Sequence, residues 1–209
     1  YAIVCGGSMM YVDALCNGID QLPTIPNDIR NALMDEHRLY EDEWLLNRLN
    51  ELDPIYYEQV DKKNIKRVFH AVEICLTAGK PYSDLRTGNR ATRPFKIIKT
   101  ALTAPRELIF SRINQRVEKM LSMGMLEEAQ QVYHLRHLNS LNTVGFKELF
   151  QHFDGEWDLE TAVARIQKNT RVYAKKQLTW YQRDNDIHWI DITSDISPIQ
   201  QILNLTSNP

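Results

Sequence analysis

Two stretches of this chain have residue types and spacing suited to binding anions. The first is Gly6-Gly7-Ser8-Met9-Met10-Tyr11. An apolar run, Tyr1 to Cys5, precedes it and reads as a buried strand. The run from Met9 to Leu15 follows with helical spacing, and Ser8 stands where a helix N-cap belongs. Paired glycines let backbone N–H groups approach a ligand, and a helix N-terminus adds partial positive charge. The hexapeptide therefore suits an anion or phosphate, with the Ser8 hydroxyl as a further donor. Taken alone, the hexapeptide is better read as an ordinary strand-to-helix turn with a capping serine.

The second stretch begins at Asp158 or Glu160 and reads as a long helix to about Tyr181. It carries Arg165, Lys168, Arg171, Lys175 and Lys176, with Arg183 just beyond and no acid between Thr161 and Gln182. Lys168, Arg171 and Lys175 fall on one side by helical spacing, and Tyr173, Trp180 and Tyr181 are interleaved. This pattern fits contact with a nucleic-acid backbone, and it equally fits a solvated basic face. Other chemistry finds little support. His134 and His137 are three apart, but no cysteine or carboxylate is placed to complete a zinc site. No Ser-His-Asp or Cys-His arrangement has a supporting motif.

Composition sets the frame for these stretches. A chain of 209 residues holds one large domain or one domain with an insertion, and its 43% hydrophobic content supports a real core. The formal net charge of -2 confines any nucleic-acid partner to a local patch. Cys5, Cys16 and Cys75 form no CxxC pair, which suits a reduced, cytoplasmic setting with buried or inert thiols. No apolar run approaches membrane-spanning length. The chain opens without methionine inside a strand-like run, although few strand candidates follow to pair with it. The expectation is a carboxy-terminal portion of a longer protein.

The elements that must position these residues follow in order. Pro23 and Pro26 mark a connector, and Asn27 or Asp28 caps a helix containing Ile29, Leu33 and Met34. Leu45, Leu46 and Leu49 form one helical stripe, and Val68, Ala71, Val72 and Cys75 form another. Residues 27–90 therefore read as all-helical. Asp35, Glu36, Glu41, Asp42, Glu43, Glu51 and Asp53 read as a solvated acidic face. A polar, basic loop spans Gly88 to Pro94, and a strand spans Phe95 to Leu102. Pro105 opens a helix in which Arg112 and Arg116, four apart, share a face. Gly124 marks a break before a helix over Leu126 to Leu135, and Leu141 to Phe153 reads as a short helical segment. Ile187 to Ile192 reads as a last strand, with a weakly ordered tail from Ser194.

In combination these segments resemble the tRNA dimethylallyltransferase (isopentenyltransferase) family over most of the chain. Val4-Cys5-Gly6-Gly7-Ser8-Met9-Met10-Tyr11 resembles the family's V-G-G-T-x-L-Y, and Leu22-Pro23 through Asp28-Ile29-Arg30 its L-P…D-P-x-x-R. Asp53-Pro54 and Asn64 to Glu73 resemble D-P and N-x-x-R-x-x-R-A-L-E. Arg112-Ile113-Asn114-Gln115-Arg116 resembles R-I-x-x-R, and Thr143 to Glu148 resembles V-G-Y-[KR]-[EQ]. The longest match, Thr170 to Trp180, resembles T-R-x-Y-A-K-[RK]-Q-x-T-W.

The resemblance implies an α/β fold, predominantly helical here. It would be an incomplete P-loop-NTPase-like core, residues 1–26 and 93–209, carrying a helical insertion over 27–92. It implies transfer of a dimethylallyl group from dimethylallyl diphosphate to the exocyclic amine of the adenosine 3′ to a tRNA anticodon, with diphosphate and magnesium leaving together. Arg116 would bind the diphosphate, and Ser8, in place of the family's threonine, would keep the hydroxyl contact. Along the tRNA would lie Ser8, Arg30, Lys66, Arg67, Val68, Phe69 and His70. Asn142, Thr143, Val144, Gly145, Phe146 and Lys147 would follow. Arg171, Lys175, Lys176, Gln177, Leu178, Thr179, Trp180, Tyr181 and Gln182 would complete the surface. His70 stands where the family has arginine, so an imidazole replaces a guanidinium at that phosphate contact.

The family's opening G-x-T-[AG]-x-G-K-[ST] and the following segment with its general-base aspartate do not occur in this sequence. These 209 residues alone are therefore expected to be inactive, with magnesium held mainly by the part that precedes them and a monomeric full-length protein. Three alternatives remain, one of them a purely structural helical protein with no ligand. Another is prenylation of free adenine nucleotides, which would need no long basic surface. The third is a non-catalytic RNA-binding helical module.

Overall fold

The computed structural model describes residues 2–88 and 91–207. Asn89 and Arg90, in the expected basic loop, lie outside the described residues, as do Tyr1, Asn208 and Pro209. The chain forms two compact units, Met10–Pro94 and Tyr1–Met9 with Phe95–Pro209.

The unit from Met10 to Pro94 is built of helices. Helix α1 spans Met9–Asn17, α2 Asn27–Leu52, α3 Pro54–Gln59, α4 Ile65–Ala78 and α5 Tyr82–Leu85. The expected stripe on α4 packs against α2. Leu33, Leu45 and Leu49 meet Val68, Ala71 and Val72 in one buried cluster that also takes in Tyr56 and Val60. Each such leucine or valine contributes roughly 1.5–3 kcal/mol by leaving water. Asn64 caps α4 by accepting from the Arg67 amide, and Gly79, at φ 65°, closes its far end in the left-handed region. Within α2, Glu41 has φ 62° and ψ -169°, so the helix is two runs joined at a kink.

Two features correct the sequence reading here. Asp53 is not on a solvated face. It is fully buried and accepts from the Tyr56 amide at 2.9 Å, the Ser83 amide at 2.6 Å and the Ser83 hydroxyl at 2.8 Å. It caps α3 and ties that helix to α5. The three cysteines also differ, because Cys75 is buried and Cys5 is exposed. Burial pushes the Cys75 thiol pKa up.

The other unit is helices on a small sheet. In order come β1 (Lys99–Thr103), α6 (Arg106–Ser122), α7 (Met125–Val132), α8 (Phe146–Phe153), α9 (Leu159–Tyr181), β2 (Ile187–Asp191) and α10 (Pro198–Ser207). Short 3-10 turns cover Tyr133–Leu135 and Asn139–Leu141. The strands pair in parallel from Lys99 with Ile187 to Thr103 with Asp191, and Lys99 Nζ reaches Asp184 at 2.7 Å. Val117, Met125, Ala129, Leu149, Phe150, Ala162 and Ile166 form the buried cluster between α6, α7, α8 and α9. Asp158 caps α9 by accepting from the Thr161 amide. The chain is thus α/β in class and mostly helical. No helix among the described residues is long and apolar enough to cross a membrane.

Four boundaries differ from expectation. Residues 2–5 form no strand, and Ile3 is 89% exposed. An apolar run becomes a strand only when other strands accept its backbone, and none of the described strands does so here. Strand β1 starts at Lys99 rather than Phe95, because β2 offers only five residues to pair. Helix α8 starts at Phe146 rather than Leu141, because Gly145 at φ 111° interrupts the helical path. Within the expected tail, Pro198–Ser207 form α10, which packs on β2.

Candidate functional site

Helix α9 organises the polar groups of the sheet-containing unit. Its N-cap fixes its start, and Ala162 and Ile166 bury one stripe, which leaves the remaining faces for polar contacts. Lys168, Lys175, Lys176, Thr179 and Gln182 are exposed, whereas Leu178, Trp180 and Tyr181 are half-buried. The Arg183 guanidinium lies 5.5 Å from the Trp180 ring centre. The expected grouping of Lys168, Arg171 and Lys175 does not hold. Arg171 turns inward, donating from Nη1 to Asn114 Oδ1 at 2.6 Å and lying 5.8 Å from the Phe110 ring. Gln177 is also engaged within the unit, donating from Nε2 to the Gly7 carbonyl at 2.6 Å.

Gly7 is the position in the Gly-Gly pair where the absence of a side chain matters. A Cβ there would lie 2.1 Å from Gln177 Nε2, whereas one at Gly6 would meet nothing within 4 Å. Ser8 is exposed and directly precedes α1. On α6, Arg112 and Arg116 are both exposed, and no carboxylate among the described residues pairs with either. Neither guanidinium is held in an ion pair, a condition that suits a phosphate-bearing ligand.

The loop before α8 is held by a buried carboxylate. Glu148 is 1% exposed. Its Oε2 accepts from the Gly145 amide at 2.7 Å, and its Oε1 accepts from Asn169 Nδ2 at 2.7 Å. Lys147 Nζ stands 3.6 Å from Oε1. Gly145 itself is buried, and a Cβ there would lie 2.4 Å from Met125 Cε. Phe146 stacks on Phe150 with centroids 6.1 Å apart. This clasp leaves Asn142, Thr143, Val144 and Lys147 exposed.

In the helical unit, the expected RNA-facing residues divide by burial. Lys66, Arg67 and His70 are exposed on α4, and Phe69 is half-buried. Val68 is fully buried in the core, so it cannot touch a ligand. Arg30 Nε donates to Glu73 Oε1 at 2.6 Å, and Nη2 reaches Oε2 at 3.5 Å. That hydrogen bond, with the Glu73 charge behind it, raises the Arg30 pKa. His70 Nδ1 lies 3.5 Å from Glu73 Oε2, and its ring centre is 6.2 Å from that of Tyr82.

The sequence reading missed Asn114, Glu148, Asn169 and Glu73 as groups that hold the site residues. Glu148 was findable, because a Glu three residues after a helix-starting glycine is the spacing of a capping box. Among the described residues, no group of three His, Cys, Asp or Glu side chains could hold a metal ion.

Comparison with known proteins places these features in context. The family model described as IPP transferase matches residues 1–184. The tRNA dimethylallyltransferase 2 of Parabacteroides distasonis is 55% identical over 190 residues, which cover 90% of this chain and 62% of that protein. The tRNA dimethylallyltransferase 1 of Bacteroides thetaiotaomicron is 46% identical over 209 residues, 99% of this chain and 68% of that protein. Among solved structures, the full-length tRNA isopentenylpyrophosphate transferase of Bacillus halodurans matches with TM-score 0.56 and 29% identity, covering 95% of this chain and 62% of that one. A eukaryotic dimethylallyltransferase solved acting on tRNA shares the fold at TM-score 0.77 and 24% identity, over 97% of this chain and 55% of that one. The chain spans under two thirds of the length of the first of these relatives.

Proposed function

This chain belongs to the IPP transferase family, and from that membership we propose that the protein transfers a dimethylallyl group from dimethylallyl diphosphate to tRNA. The acceptor is the exocyclic amine of the adenosine 3′ to the anticodon. The amine attacks the first carbon of the prenyl group, the bond from that carbon to diphosphate oxygen breaks, and diphosphate leaves. The developing negative charge on the leaving group must be met by donors and cations. Arg116 and the Ser8 hydroxyl serve that end. The observation that carries this reading is the exposed, acid-free arginine pair on α6, packed against a helix whose outer face is cationic. Lys147, Lys175 and Lys176 in one unit, and Lys66 and Arg67 in the other, contact tRNA phosphates. Such contacts set affinity and register, and a reacting base must leave its stack.

The fold that goes with this reading is a P-loop-NTPase-like core with residues 27–92 as a helical insertion. Magnesium accompanies diphosphate in this chemistry. The residues assigned here bring cations and a hydroxyl rather than a carboxylate cluster, so they do not by themselves form a magnesium site.

The test is a transfer assay on the natural full-length protein with labelled dimethylallyl diphosphate. An anticodon stem-loop and AMP are offered separately. Label should enter the stem-loop and not AMP, and Arg116→Ala should lower the rate by about 10²–10³-fold, the usual cost of losing a charge-stabilising donor. Equal transfer to AMP would refute the tRNA assignment. An unaffected Arg116→Ala would refute the role of that arginine.

A further inference from the structure

Three polar side chains of α9 reach two separate parts of their own unit. Gln177 donates to the Gly7 carbonyl at 2.6 Å, and the Tyr173 hydroxyl lies 3.4 Å from the same oxygen. Six residues earlier, Arg171 donates to Asn114 at 2.6 Å. Gly7 immediately precedes Ser8, and Asn114 stands two residues before Arg116 on α6. One rigid helix therefore holds the backbone beside the hydroxyl and the helical turn that carries the guanidinium. We propose that Gln177 and Arg171 are positioning residues for the diphosphate subsite, and do not contact tRNA phosphates. This rests on the reading above, in which Ser8 and Arg116 face the diphosphate.

The physical case has three parts. Gln177 and Arg171 each commit an N–H to an acceptor within the unit, and that bond sets the direction of the side chain. The bare Cα of Gly7 is what admits Gln177, since a Cβ would stand 2.1 Å from Nε2. Groups that stabilise a leaving anion act best when their geometry is fixed before the reaction, because displacements near 1 Å are costly. The partner of Arg171 is a neutral amide on α6, with the Phe110 ring nearby, so one N–H of its guanidinium and its planar face both tie α9 to α6.

The experiment measures two affinities in the natural full-length protein. Inorganic pyrophosphate is titrated calorimetrically, and an anticodon stem-loop is titrated at fixed salt. Gln177→Ala, Gln177→Glu and Arg171→Lys should each weaken pyrophosphate binding by about tenfold, the scale of one lost hydrogen bond. Glu matches Gln in shape but presents no N–H, so it should be no better than Ala. Arg171→Lys keeps the charge and loses the fork, which separates geometry from net charge. Stem-loop affinity at fixed salt should not change in Gln177→Ala or Arg171→Lys. Gly7→Ala should weaken pyrophosphate binding similarly. Adding Gln177→Ala to it should cause no further loss, because the two act through one contact.

Unchanged pyrophosphate affinity in Gln177→Ala and Arg171→Lys would overturn the proposal. So would stem-loop affinity weakened about tenfold in Gln177→Ala, the loss expected of a direct tRNA contact. If the wild-type protein binds the stem-loop but no pyrophosphate, the underlying diphosphate assignment falls as well.

Discussion

Replacing Glu148 is the sharpest single perturbation the structure offers. Both of its carboxylate oxygens are used, one by the Gly145 amide and one by Asn169 Nδ2. Glu148→Ala would leave both donors without an acceptor in a site from which the native side chain has excluded water. An orphaned buried donor costs about 1–3 kcal/mol. Gly145 is buried and Asn169 only half-buried, so the two together should cost about 3–4 kcal/mol. Glu148→Gln keeps the shape. Its carbonyl can serve one donor while its NH₂ faces the other, so the cost should be about 1–2 kcal/mol. For a chain of this size, 3 kcal/mol corresponds to a fall in Tm of roughly 6–12 °C. Hydrogen exchange read by peptide should place the loss. Protection should drop around Gly145 and Asn169 while amides of α4 stay as in the wild type. The reasoning fails if Glu148→Ala lies within about 0.5 kcal/mol of wild type, the range of an ordinary surface change. It also fails if Ala and Gln cost the same.

Three further outcomes follow from the same structure. Asp53→Ala should destabilise the helical unit by about 3 kcal/mol, since it orphans the Tyr56 and Ser83 amides at once; urea unfolding should detect it, with weaker hydrogen-exchange protection in α3 and α5. Leu149→Ala, at a fully buried position, should cost about 2–5 kcal/mol with no effect on the helical unit's protection. The hydrogen bonds from Thr161 to Asp158, first from its side chain and then its backbone, hold that carboxylate's pKa below its usual value. A depressed folded-state pKa means the contribution is present above the ordinary aspartate value near 4 and is lost as pH falls through the lower folded value. Asp158→Asn, which keeps the cap and removes the titration, should therefore flatten the fall in Tm below about pH 4; a curve parallel to wild type would count against it.

What the sequence made legible was local. The stripe Val68, Ala71, Val72 and Cys75 gave α4, since helical periodicity needs only residues three and four apart. Helix α9 was readable from Asp158 to Tyr181 because its cap and its periodicity lie within one stretch. Contacts between distant residues were hidden. Arg171 read as a phosphate contact or a solvated charge from the basic helix around it, and Gln177 as a tRNA contact through the family resemblance. Their inward turns depend on Asn114, 57 residues away, and Gly7, 170 residues away. Asp53 looked like the last of seven acids on a solvated face, and only Ser83, 30 residues on, makes it a buried cap. Val68 matched a family motif and a core stripe at the same time, and its burial decides for the core. Residues 2–5 read as a strand from apolar character, which does not supply partners, and none of the described strands pairs with them.

The small sheet carries a consequence for handling the protein in solution. Its two strands pair with each other and, among the described residues, with nothing else. Each therefore keeps an outer rim of amide and carbonyl groups able to join a strand from another molecule. A formal net charge of -2 gives little long-range repulsion to keep such molecules apart. Colloidal behaviour should thus depend on concentration and storage pH. Light scattering against dilution is the simplest gauge of whether a preparation is still dispersed.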